Sequence, residues 1–252
     1  MDEISSKQNM FEHSHFGKIA DDDFGISMKK LFDQIQACSR CECSKKDCNI
    51  FSLPDGTGKV PFSFNRGSIL LVGESPNSRR MQSPLALIPF CLDWELQKNK
   101  SGEILKMMMD ENSLDMKNFC STNLVKCSVF SDEEFESSFR NCERFFDDAL
   151  QLVEPLLIVG LGERVRKALG GKMSSFTEYV THLGYKYKMV CIKHPAWVLR
   201  DRQENLKAYR VQFKLVAEWI KAHTARQMAL NEKFGIEVVR RNDDTKDEAL
   251  NF

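Results

Sequence analysis

The stretch 68-SILLVG-73 decides the fold. Its apolar residues run without a break from Ile69 to Val72 and stop at Gly73. A strand with one wet face alternates polar and apolar residues. A short continuous run closed by glycine instead fits a strand buried on both faces, as in a parallel sheet. Three more stretches read alike: 119-FCSTNLVKC-127, 156-LLIVGLG-162 and 188-KMVCIKHP-195. Helical patterns lie among them. Phe139, Cys142, Phe146, Ala149 and Val153 recur in steps of three and four, which is one face of a helix over 139–153. Leu206, Tyr209, Phe213, Val216 and Ile220 do the same over 203–222. Segments 26–37 and 102–111 predict two shorter helices. Strands alternating with helices predict an α/β fold with a mainly parallel sheet. In such a sheet the ligand crevice lies beyond the carboxyl ends of the strands.

A chain of 252 residues, 42% of them hydrophobic, can bury one large core. The 36 basic and 36 acidic side chains cancel, so nucleic-acid binding would need a local positive patch. No apolar run approaches the roughly 20 residues that span a bilayer. The polar start, MDEISSKQNMFEHSHFGK, has no apolar signal core, so a soluble cytoplasmic protein without a membrane partner is expected. Residues 1–25 read as a disordered extension, 26–225 as the domain, and 226–252 as a second extension with a charged tail.

The strand ends carry the unusual residues: Glu74 after the first, Asn123 and Cys127 at the second, and His194 at the fourth. The nine cysteines are an odd number without a secretion signal, which points to thiols or a metal site. Cys38 and Cys41 have a common metal-binding spacing. Zinc would be satisfied locally by these two with Cys43 and Cys48. An iron–sulfur cluster would recruit Cys127 and Cys142 instead. Spacing alone equally allows Cys127 and Cys142 as small core residues.

The ordered set CSRC (38–41), GESPNSRR (73–80), TNLVKC (122–127), NCERFF (141–146) and HPAWVLR (194–200) resembles the uracil-DNA glycosylase superfamily. Its family 4 branch, which carries a 4Fe-4S cluster, is the most similar. The resemblance covers roughly residues 30–215. It implies a three-layer α/β/α sandwich around a central four-stranded sheet. It implies Cys38, Cys41, Cys127 and Cys142 as ligands of a structural 4Fe-4S cluster. The implied partner is DNA containing uracil or a related deaminated base, bound by a monomer.

A glycosylase must flip a base out, read it and cleave its N-glycosidic bond. Glu74 is the candidate to orient water and offset positive charge on the sugar. Asn123 can match the O4 and N3–H of uracil with one acceptor and one donor. His194 can donate to the departing base as negative charge develops. Each has a plainer alternative: a solvated turn acid, an amide bonded within the fold, a satisfied histidine. Gly73 and Ser75 complete the substrate loop, and Phe90 resembles the family's stacking aromatic. Trp197 or Leu199 would wedge into the gap left by the base. Arg79, Arg80, Lys126, Arg200 and Arg202 would form the positive patch. The chain departs from the family pattern at Asn77, Arg80 and Ala196, and at SVF after Cys127. A non-catalytic nucleic-acid binder on the same fold, and a zinc module, are the competing functions.

Overall fold

Each of the four apolar stretches contains a strand, and each helical pattern a helix. The computed structural model describes residues 23–41, 69–76, 100–115, 118–127, 129 and 131–234. In chain order these give α1 (Asp23–Gln36), β1 (Ile69–Gly73), α2 (Lys100–Glu111), β2 (Phe119–Asn123), α3 (Asp132–Val153), β3 (Leu157–Leu161), α4 (Glu163–Ala168), β4 (Phe176–Val180), β5 (Lys186–Ile192), α5 (Pro195–Val198) and α6 (Arg202–Phe234). The first helix starts at Asp23, inside the segment expected to be an extension, and the last runs on to Phe234.

The sheet has five strands in the order β2-β1-β3-β5-β4. The four expected strands are parallel neighbours. The fifth, β4, joins β5 antiparallel and was not expected. Its sequence, FTEYV, fully buries only Tyr179. An edge strand with few apolar residues leaves no continuous run to recognise.

Side chains alternate across the pleat and build the two outer layers. Ile69 and Leu71, with Leu157 and Val159, face α2 and α6 through Leu105, Met108, Tyr209 and Phe213. Leu70 and Val72, with Ile158 and Met189, face α3 through Phe135, Phe146 and Leu150. The result is the three-layer α/β/α sandwich. The short helix α1 lies on the outside of α3, its Leu31 and Ile35 against Phe145 and Ala149.

Helix α3 is written at both ends. Ser131 caps it, accepting from the Glu134 N–H at 3.1 Å, and Asp132, Glu133 and Glu134 sit in its first turn. Glu154 closes it in the left-handed conformation, φ 47°, donating its N–H to the Leu150 carbonyl at 2.8 Å. Midway, the buried Asp147 holds the β4–β5 hairpin. It accepts from the Tyr179 hydroxyl at 2.7 Å and the His182 backbone N–H at 2.8 Å, and meets His182 Nδ1 at 2.6 Å. Among the described residues, no helix is long and apolar enough to cross a membrane.

Candidate active site

The parallel strands end along one edge of the sheet, and the unusual residues gather there. Asn123 and Gly73 are register partners at the ends of β2 and β1. Glu74 follows β1, Gly162 follows β3, and His194 stands two residues beyond β5. With strands about 4.8 Å apart, Asn123 and His194 are roughly 14 Å apart across the edge. The β1–β3 pair, bearing Glu74, lies between them.

Glu74 is half-buried and its carboxylate is gripped by Arg164. The same guanidinium also holds Asp132, at the start of α3. One arginine in the first turn of α4 thus ties β1 to α3. Ser75 is half-buried beside Glu74. The Gly73 and Glu74 carbonyls accept from the N–H groups of Leu124 and Val125, both at 3.0 Å. These bonds extend the β1–β2 pairing past Asn123.

Asn123 is 5% exposed, and its backbone carbonyl accepts from the Lys126 ammonium.

His194 caps α5. Its Nδ1 accepts from the Ala196 N–H at 3.0 Å. A backbone N–H can only donate, so Nδ1 carries no proton and Nε2 does. Burial, with Arg200 nearby, lowers the imidazole pKa to about 4. The side chain is therefore neutral at physiological pH and carries its one N–H on Nε2. Gly162 makes room for it. Its φ is +102°, and a Cβ there would lie 3.3 Å from the His194 Cβ.

Beyond His194, Trp197 is half-buried against the main core, with the Lys193 ammonium 5.7 Å from its ring centroid. It anchors α5, while Leu199, 40% exposed, is the apolar residue that stands out. Arg200 and Arg202 are exposed. Lys126 corrects the sequence reading, which sent it to phosphate or solvent. It is 2% exposed, donating to the Thr122 hydroxyl at 2.8 Å and to the Asn123 carbonyl. A lysine four residues after a buried threonine can curl back on its own chain, and burial lowers its pKa to about 7. Phe90, Arg79, Arg80, Cys43 and Cys48 lie outside the described residues.

The described contacts link the four cysteines only in pairs, Cys41 with Cys127 and both Cys38 and Cys41 with Cys142. Cys41 and Cys127 pack against each other. Burial pushes the Cys142 thiol up to about 11, opposed by a hydrogen bond from the Lys126 backbone N–H, and Cys41 and Cys38 lie close enough to raise it further. Asn141 donates to the Cys41 sulfur and to the Arg40 carbonyl, both at 3.4 Å. Among the described residues, no three His, Cys, Asp or Glu are arranged to hold a single metal ion. A cavity of about 470 Å³ beside Cys38, lined by Arg40, Arg144 and Phe145, lies on this side and away from the strand ends.

Sequence reasoning missed Arg164, Gly162 and Asn141. Gly162 had a visible signal, a glycine closing a strand before a helix. Asn141 stands next to a proposed ligand. Nothing local marks Arg164, whose partners lie 90 and 32 residues away.

The ends of the parallel strands thus bring a carboxylate, an amide and a neutral imidazole to one edge of the sheet. The chain belongs to the uracil DNA glycosylase superfamily, whose family model matches residues 62–217. That span includes Glu74, Asn123, Cys127, Cys142 and His194, and excludes Cys38 and Cys41. Membership implies an N-glycosidic hydrolase that acts on DNA. No match was found among curated proteins.

Proposed function

We propose that the protein is a family 4 type DNA glycosylase that excises uracil, or a related deaminated base, and carries a structural 4Fe-4S cluster. The observation that carries this reading is the neutral His194, with its single proton fixed on Nε2 by the Ala196 N–H. Leaving uracil gathers negative charge on its O2. A neutral N–H donor aimed at that oxygen stabilises the charge without first giving up a proton.

The other residues divide the remaining work. The flipped base offers O4 and N3–H to the Asn123 carboxamide. Glu74, oriented by Arg164, aligns water and offsets positive charge on the sugar. Leu199, exposed past His194, is suited to fill the gap in the stack.

Cys38, Cys41, Cys127 and Cys142 would hold the cluster. Three are buried, and two of the sulfurs accept N–H bonds of the kind that stabilise thiolates. When bound, the group clamps the N-terminal segment to the domain.

Protein purified without oxygen should be brown and release free uracil from uracil-containing single or double strands, leaving an abasic site. Glu74→Ala and His194→Ala should each slow release about 10²–10³-fold. Intact DNA from wild type and both variants alike would sink the proposal. DNA bound tightly but left intact would favour a non-catalytic binder. Colourless protein containing zinc would remove the cluster.

A further inference from the structure

Three backbone bonds fix the chain around His194. The Gly162 N–H donates to the Ile192 carbonyl at 2.8 Å, two residues before the histidine. The Gly162 carbonyl accepts from the Arg166 N–H at 3.0 Å and opens α4. The Trp197 N–H donates to the His194 carbonyl at 2.8 Å. A Cβ placed on Gly162 would have one residue within 4 Å among those described, and that residue is His194, its Cβ at 3.3 Å and its backbone nitrogen at 4.0 Å. The Gly162 backbone, at φ 102° and ψ 172°, lies in a region that residues with a Cβ almost never occupy. Drawing Gly162 back from the histidine would stretch its bond to Ile192. The histidine is therefore the side that would give, by a few tenths of an ångström.

We propose that Gly162 is a positioning residue for His194: the bare backbone at the end of β3 sets where the imidazole, and with it the Nε2–H, stands at the strand edge. The inference rests on the proposed role of His194 as donor to the leaving pyrimidine, and it adds the element that fixes the donor in place. Gly162 itself touches no substrate. Serving only as the start of α4 is a different role, since a Cβ would then cost stability without moving the imidazole.

The test uses the full chain and Gly162→Ala. The His194 ring nitrogens are assigned in a ¹H–¹⁵N spectrum against His194→Gln. In Gly162→Ala they should shift, and kcat for uracil release should fall about tenfold with KM nearly unchanged, because the donor moves and the base reader does not. Gly184→Ala is the control: its φ is also positive, 85°, but an added Cβ there meets nothing within 4 Å. It should lower Tm and leave the ring nitrogens and kcat as in wild type. Stability gives a second reading if Gly162→Ala alone folds poorly. His194→Gly removes the crowded atom, so Gly162→Ala should lower Tm less in that background than in wild type. Unmoved ring nitrogens, an unchanged kcat in an active enzyme, or a Tm loss no smaller beside His194→Gly would each overturn the proposal and leave Gly162 as a plain start to α4. Ring nitrogens that shift in a protein releasing no uracil keep the positioning role and sink only the glycosylase reading, so the two failures are separate results.

Discussion

His194 owes its neutrality to burial and the placement of its one proton to a single backbone bond. With Nδ1 occupied by the Ala196 N–H and its pKa lowered to about 4, the ring stays neutral far below the usual histidine range. An unfolded chain takes its proton near pH 6.5, before the folded one does. This group therefore costs stability progressively as pH falls from about 6.5 to about 4, and nothing above that window. For the reaction, single-turnover base release should hold its rate from pH 8 down to 5, with an acid limb near 4. A limb near 6.5 would show an ordinary titrating histidine and remove the neutral-donor mechanism. At this scale the sequence was readable where a polar residue interrupts an apolar run. Glu74, Asn123 and His194 stand out because each ends a buried strand. Lys126 was misread because a lysine is normally a surface residue. Only its folded path shows the ammonium turning back to Thr122.

Helices and strands here are joined at their ends by side chains with more than one partner. Arg164 is the main case, with one guanidinium reaching Glu74 after β1 and Asp132 at the start of α3. A planar fork can serve two carboxylates at once, whereas a lysine ammonium is a point charge. Arg164→Lys should therefore keep the fold and lower kcat about tenfold, with KM nearly unchanged, as Glu74 loses its fixed orientation. Equal kcat in the two proteins would show that Glu74 does not depend on Arg164. The elements themselves were legible in proportion to their burial. Continuous apolar runs gave β1 and β3 to within a residue. The strand β4 stayed hidden, since its stability comes from pairing with β5 and from Tyr179 reaching Asp147 across the α3 layer. Neither contact is local in sequence.

The span matched by the superfamily leaves the N-terminal helix outside it. Helix α1 and the pair Cys38 and Cys41 precede residues 62–217. They reach the domain through Leu31 and Ile35 on α3, and through Cys41 against Cys127. If the four cysteines hold the proposed cluster, removing it should detach this piece first. Hydrogen exchange on stripped protein is expected to speed strongly in α1 while β1, β3 and β5 remain protected. Uniform loss of protection would mean that the cysteine site supports the whole core. The three-layer plan was open to sequence reading because it follows from the order of strands and helices. Where the N-terminal piece docks was not, because it depends on thiols brought from 38 to 142.

The antiparallel strand β4 has one more effect. A sheet that ended at β5 would present a long apolar edge with unpaired backbone groups. Instead the outermost strand is short and half-wet, with Glu178 and Lys186 facing each other in the open. At the opposite edge every residue of β2 is buried. Neither border invites a strand from another copy. Copies of the chain can then meet at high concentration without their sheets fusing into fibres.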